Sequence, residues 1–339
     1  RSPRRRAACG RAPAHLSDGA RRLAPLGTLL GVPVAGITTD ERRVTECREV
    51  LSAVRRPKDE LELSRMRRAV EATVHGFAAV QPLLVPGRSE RDVQIEIEAA
   101  FYRNGGDRTA YDTIVGGGPN AALFHFSPSH RAFGAGEFVL IDAGAECSNY
   151  AADVTRTYTT STMSPEQRDI YEIVLRTQER AVARCVVGAE YREIHMGASR
   201  DIAEGLVQMG ILKGNVDDLV ERSAHALFFP HGVGHLVGLG VRDAGGYLPG
   251  RVRSTKPGLR YLRIDLPLQA GFTVTIEPGI YFIPVLLRQR EAREQYRDDV
   301  DWGLVDRLIG IGGVRIEDDI HVTPAGPENL TGMIPKLRP

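Results

Sequence analysis

The sequence predicts an α/β domain built of two similar halves facing each other, and three observations carry that prediction. Helices with well-formed starts alternate with short β-branched runs bounded by Gly and Asn. One helical unit is echoed in the chain. Gly87 stands six residues before Val93 and a helix ending at Asn104-Gly105, and Gly188 stands six residues before Ile194 and a helix ending at Met209-Gly210. Finally, 339 residues with 42% hydrophobic and 26% charged are enough for one large domain or two unequal ones, and too apolar for global disorder.

In chain order, Leu61, Met66, Ala69, Val70 and Val74 recur on a helical period, predicting an amphipathic helix over Lys58–Ala79. Ser89, three residues before Asp92 and ahead of Val93, Ile95 and Ile97, opens a second helix with a cap-like start. Ser164-Pro165-Glu166-Gln167 is a stronger start: a cap hydroxyl, Pro at the first helical position and Gln three after the cap. That helix is expected to run to about Val187. Thr113–Val115, Phe138–Ile141 and Ala151–Tyr158 read as strands.

Charge excludes some function classes. Lys+Arg number 44 against 43 Asp+Glu, so no cationic field gathers nucleic acid or anionic membrane, and neither is an expected partner. No apolar run approaches the ~18–20 residues of a helical membrane span. Cys9, Cys47, Cys147 and Cys185 are scattered without a CxxC pair, which fits a reducing compartment and an expected cytoplasmic location. Arg1, Arg4, Arg5, Arg6, Arg11, Arg21 and Arg22 face only Asp18, a pattern of mitochondrial transit segments. A solvated tail or the cut end of a domain is the preferred reading. The expected organisation is a short N-terminal remnant over 1–54, a catalytic domain over 55–332 and a C-terminal tail over 333–339.

Four acids sit at strand positions where propensity disfavours them. Asp142 ends Phe138–Ile141, and Asp153 follows in Ala-Asp-Val-Thr. With Cys147 and Ser148 at the turn, the two Asp are directly opposed on one sheet face, their Cβ atoms about 4.5–5.5 Å apart. Buried facing carboxylates repel unless they share a proton or a cation. Glu277 ends the strand Phe272–Ile276, and Glu317 shares a strand face with Arg315. His231-Gly-Val-Gly-His235 supplies nitrogen, its glycines argue against a helix, and at most one of the two histidines need be a ligand. Such a set suits Mn²⁺, Co²⁺, Zn²⁺ or Fe²⁺ and has room for two ions about 3.5–4 Å apart, which lower the pKa of a bridging water. Metal-assisted hydrolysis is the chemistry these residues point to.

Asp142, Asp153, His235, Glu277 and Glu317, in this order, resemble the ligand set of the pita-bread metallopeptidases. The resemblance continues through Phe229–His235, Asp243–Tyr247, Lys256–Arg263, Thr275–Tyr281 and Gly312–Asp319 and spans Arg55–Thr331. Within that group it is nearest to the prolidases, the Xaa-Pro dipeptidases, with the aminopeptidases P as the alternative. It implies a pseudo-twofold αβ fold and two divalent ions, Mn first, with Asp142 on one ion, Asp153 and Glu317 bridging, and His235 and Glu277 on the other. It implies hydrolysis of Xaa-Pro dipeptides by a metal-bridging hydroxide, with a homodimer as a further expectation. His125 and His231 resemble the imidazoles that contact substrate, and Tyr111 resembles a tyrosine near the metals. Arg263 resembles the arginine that grips the dipeptide carboxylate, and Arg315 the one that supports the bridging Glu. Arg242 stands where the family carries a histidine that helps hold the proline-side product. A metal-free peptide-binding relative is the reading from another class, and the intact ligand set argues against it.

Overall fold

A computed structural model of the chain describes residues 41–337. The Arg-rich start therefore lies outside the described residues. Contacts divide the chain into two units, Arg1–Val54 and Arg55–Pro339. Helix α1 (Glu41–Arg55) is the described part at the first boundary.

In the second unit, α2 (Glu60–Val80) starts at Asp59, whose carboxylate accepts from the Glu62 amide while Glu62 reaches back to the Asp59 amide. Its buried face carries Leu63, Met66, Ala69, Val70 and Phe77, whereas Leu61 is exposed. α3 (Glu90–Arg103) and α4 (Pro165–Ala183) have the same reciprocal caps at Ser89 and Ser164. α4 ends four residues before the expected Val187. The fourth long helix is α5 (Tyr191–Gln208).

The echo is structural. Gly87 and Gly188 have φ of 89° and 86°, a left-handed conformation that costs a side chain dearly. Each donates its amide to the end of a distant segment, Phe133 at 2.9 Å and Leu268 at 2.7 Å. Those segments return bonds to Arg88 and Ala189. α2 packs on α3 and α4 on α5.

Two antiparallel sheets carry the site. In the first, β1 (Ile114–Gly117), β2 (Phe138–Asp142) and β3 (Thr155–Thr159) lie in that order. In the second, β4 (Thr273–Ile276) pairs with β7 (Asp318–Thr323), which pairs with β8 (Gly326–Asn329). β5 (Gly279–Tyr281) and β6 (Gly313–Arg315) form a separate pair. The halves join at a bridge between Thr155 and Glu317, where the Glu317 amide donates to the Thr155 carbonyl at 3.0 Å. One core cluster holds Phe77, Val93, Ile97, Phe101, Val139 and Ile141; a larger one holds Ile173, Ile194, Ile202, Val274, Ile276 and Ile320.

The register between β2 and β3 corrects the expected facing pair. Asp142 is opposite Thr155, because the turn is centred on Ser148 and Asn149. Both turn residues have positive φ, 51° and 68°, the twist that a two-residue hairpin requires. Asp153 is therefore two residues from Asp142's partner, which keeps it on the same face but diagonal. Within the expected C-terminal tail, Ile334 and Lys336 make contacts to the rest of the domain. Ile334 is buried, and its carbonyl accepts from Arg156 Nε at 3.0 Å and Nη2 at 2.9 Å.

Candidate active site

All the residues singled out from the sequence line one cleft of about 790 Å³: Tyr111, His125, Asp142, Asp153, His231, His235, Arg242, Arg263, Glu277, Arg315 and Glu317. β2 and its following turn deliver Asp142 and Asp153, while the ends of β4 and β6 deliver Glu277, Arg315 and Glu317. The segment Val233–Val237 runs beside β4 as an extra edge: Thr275 donates to the His235 carbonyl and Glu277 to that of Val233, both at 2.8 Å. Gly234 permits this approach, since a Cβ there would lie 2.0 Å from the Thr275 carbonyl oxygen. Neither His231 nor His235 is on a helix, in keeping with the glycines between them.

Asp153, His235 and Glu317 are the tightest group, all buried, with one donor atom from each within 4.8 Å of the others. His235 Nδ1 donates to the Leu236 carbonyl at 3.1 Å, which leaves Nε2 facing Asp153 Oδ2 at 3.4 Å and Glu277 Oε1 at 3.9 Å. A lone pair aimed at carboxylate oxygens is repulsive unless a proton or cation lies between them. Burial pushes the His235 imidazolium down, yet Asp153 and Glu277 outweigh it and raise its pKa. Burial lifts the Glu277 carboxyl to about 7, against the pull of His235 and Arg315. Burial with Asp153, Glu277 and Asp142 nearby holds Glu317 well above the carboxylate range. This acid cluster is costly as it stands, and its nitrogen and oxygen donors fit divalent cations.

Asp142 is turned elsewhere. Its Oδ2 accepts from Arg315 Nη2 at 2.5 Å and its Oδ1 from Tyr111 at 2.7 Å. Arg315 Nε lies 3.9 Å from Glu317 and donates to Thr155 Oγ1 at 2.9 Å, so its strongest carboxylate partner is Asp142 and not the Glu it was expected to support. Thr155 in turn donates to Glu317 Oε2 at 2.6 Å.

Tyr281 was not among the expected site residues. Its hydroxyl accepts from Arg315 Nη1 at 3.1 Å and lies 2.9 Å from His231 Nε2. His231 Nδ1 donates to the Gly232 carbonyl, so Nε2 accepts from Tyr281, and burial drives the His231 pKa down to about 3. The cue was available, for Tyr281 lies two strand periods beyond Glu277. Asp319, also missed, accepts from the Asp153 amide at 3.0 Å and fixes that backbone.

Comparisons with known proteins agree with this geometry. Residues 64–324 match metallopeptidase family M24, and the chain belongs to that family. It is 35% identical over 291 residues to a probable Xaa-Pro aminopeptidase of Fusarium vanettenii, covering 84% of this chain and 62% of the relative. An uncharacterized peptidase of Saccharomyces cerevisiae is 36% identical over 280 residues, covering 81% and 52%. Escherichia coli aminopeptidase P in complex with substrate superposes with a TM-score of 0.72 at 34% identity, covering 86% of this chain and 59% of that one. Aminopeptidase PepP of Pseudomonas aeruginosa gives 0.75 at 30% identity, covering 96% and 68%. The fold is the pita-bread fold. The chain spans about 62% of the length of the Fusarium relative.

Proposed function

We propose that this chain is a metal-dependent Xaa-Pro aminopeptidase. The observation that carries the reading is the buried cluster of Asp153, His235 and Glu317, with Glu277 Oε1 3.9 Å from His235 Nε2 and Asp142 lining the same cleft. The sequence favoured a dipeptidase; the relatives named Xaa-Pro aminopeptidase, and the aminopeptidase P structures matched at 34% identity, support the alternative. Prolidase activity on dipeptides is the second reading, supported by Arg263 at the cleft.

Asp142, Asp153, His235, Glu277 and Glu317 would hold two divalent cations, Mn²⁺ foremost. When bound, these supply a water activated for attack at neutral pH and a Lewis acid for the scissile carbonyl. The other steps belong to the chain. Glu277, beside His235 in the cleft, takes the proton of the attacking water and passes it to the departing proline nitrogen. Neutral His231, held by Tyr281 and Gly232, presents a fixed imidazole to the substrate. His125 contacts it from the same cleft, and Tyr111 and Arg315 hold Asp142 in place. Residues 55–332 form the catalytic part.

The deciding experiment loads chelated protein with Mn²⁺ and supplies Ala-Pro and Ala-Pro-Ala. Release of alanine from the tripeptide with higher kcat/KM is the expected result. Cleavage of the dipeptide alone would establish prolidase instead, and full activity in chelator would sink both.

A further inference from the structure

Arg242 is placed by a clamp that uses up the one acid beside it. The Asp243 carboxylate is turned inward with no side-chain exposure; its Oδ2 lies 3.0 Å from Lys58 Nζ and its Oδ1 2.6 Å from Arg55 Nη2. Arg55 also donates to the Leu239 carbonyl at 2.7 Å, and Arg56 to those of Ala244 and Gly245 at 3.0 and 3.2 Å. Residues 55–58 thus grip the loop on both sides of Arg242. The guanidinium, turned to the cleft, has Nη2 3.1 Å from His125 Nε2. Because guanidinium only donates, His125 accepts there and carries its proton on Nδ1. His125 is itself fixed by a left-handed backbone, φ 50°. The donor offered at this wall is therefore Arg242, with a charge that does not titrate.

The cleft is polarised. Asp142, Asp153 and Glu317 are buried in it, whereas Arg242, Arg260 and Arg263 are exposed. Arg260 stacks on the Tyr261 ring at 4.8 Å, and among the described residues none of these three arginines forms an ion pair. Asp112 is the only exposed acid among the lining residues. A peptide whose amine turns to the buried acids then extends its other end past the guanidinium groups. A guanidinium fork with no internal carboxylate matches one supplied by a ligand.

We infer that Arg242 makes the outer part of this cleft selective for a carboxylate carried just beyond proline, at the C-terminus or on an acidic side chain. This rests on the aminopeptidase reading for the direction of the peptide. The exposed position of Arg242 means its replacement leaves the core intact.

The test compares Mn²⁺-loaded protein on Ala-Pro-Ala-amide, Ala-Pro-Ala and Ala-Pro-Glu-amide. The expected result is a KM at least about fivefold lower for the carboxylate-bearing peptides, a gap that narrows as salt screens it. The second and third peptides tell the terminal carboxylate from the side-chain one. Arg242→Gln should collapse the ratio, and Arg242→Lys should retain part of it. Equal KM values in the wild-type protein, or a ratio unchanged in Arg242→Gln, would overturn the inference. Cleavage of none of the three would instead overturn the proposed function. Calorimetric binding of Pro-Ala-amide, Pro-Ala and Pro-Glu-amide then decides the carboxylate question without turnover, by the same ratio in wild type and Arg242→Gln.

Discussion

Arg156 and Asp318 meet at 2.7 Å with no solvent exposure on either side chain, each one residue from Thr155 and Glu317, the bridge that joins the two sheets. Lys336 Nζ at 2.7 Å, Thr331 Oγ1 at 2.8 Å and Gln178 Nε2 at 2.9 Å complete the shell of Asp318. Asp318→Asn would leave a buried guanidinium without its counter-charge, an expected loss of about 3–5 kcal/mol. Urea unfolding checks it. Asp318→Asn combined with Arg156→Met should cost less than the two single changes added together.

Acid sensitivity should come in part from His225. It is buried against Gly258 and Ser223, and burial with His195 nearby drives its pKa from 6.5 down to about 4. Between those values the unfolded chain binds a proton that the folded chain does not, so stability rises with pH across the window and is lost on acidification. The loss by pH 4 is of order 3 kcal/mol. Urea midpoints at pH 7 and 4.5 should diverge less in His225→Leu than in the wild-type protein; equal divergence would remove His225 from the account.

Glu90 should govern the loop that carries Phe124 and His125. Its buried carboxylate accepts from the Gly117 amide at 2.9 Å, Asn120 Nδ2 at 2.8 Å, and the Ser129 amide and hydroxyl at 3.0 and 2.6 Å. Glu90→Gln puts a donor where donors already point and loses charge-assisted bonds worth about 1.5–3 kcal/mol each. Lower stability is expected together with a raised peptide KM. A stability loss with KM unmoved would confine Glu90 to scaffolding.

Asp153→Asn and Glu317→Gln should each weaken Mn²⁺ binding by more than about tenfold, since each removes an anionic donor from the tightest cluster. Titration calorimetry measures this directly. Unchanged affinity in both variants would mean that the cations are held elsewhere.

The helical frame was legible because local chemistry specifies it: the reciprocal caps at Ser89 and Ser164 form where the sequence places them. Asp59 passes the same test, yet the apolar period alone put that helix start near Lys58. Every expected site residue reaches the cleft, and for the strand residues Asp142 and Arg315 alternation sets the face. Register itself was missed at Ser148-Asn149, where a hairpin's positive φ depends on turn geometry and not on the hydrophobic pattern. The partners of Arg315 and the burial of Arg156, Glu90 and Ile334 were beyond reach. Each rests on contacts made across more than 25 residues, which no local pattern encodes.

The placement of the four acids and one imidazole across the Thr155–Glu317 bridge makes the halves thermodynamic hostages of one another. Asp142 and Asp153 come from the first half, and His235, Glu277 and Glu317 from the second, so their mutual repulsion acts as a wedge along the seam. A cation bound there turns that wedge into a rivet, and docking of the halves becomes part of the binding free energy. Heat unfolding should then lose a separate early step, the opening of the seam, as divalent ion is added.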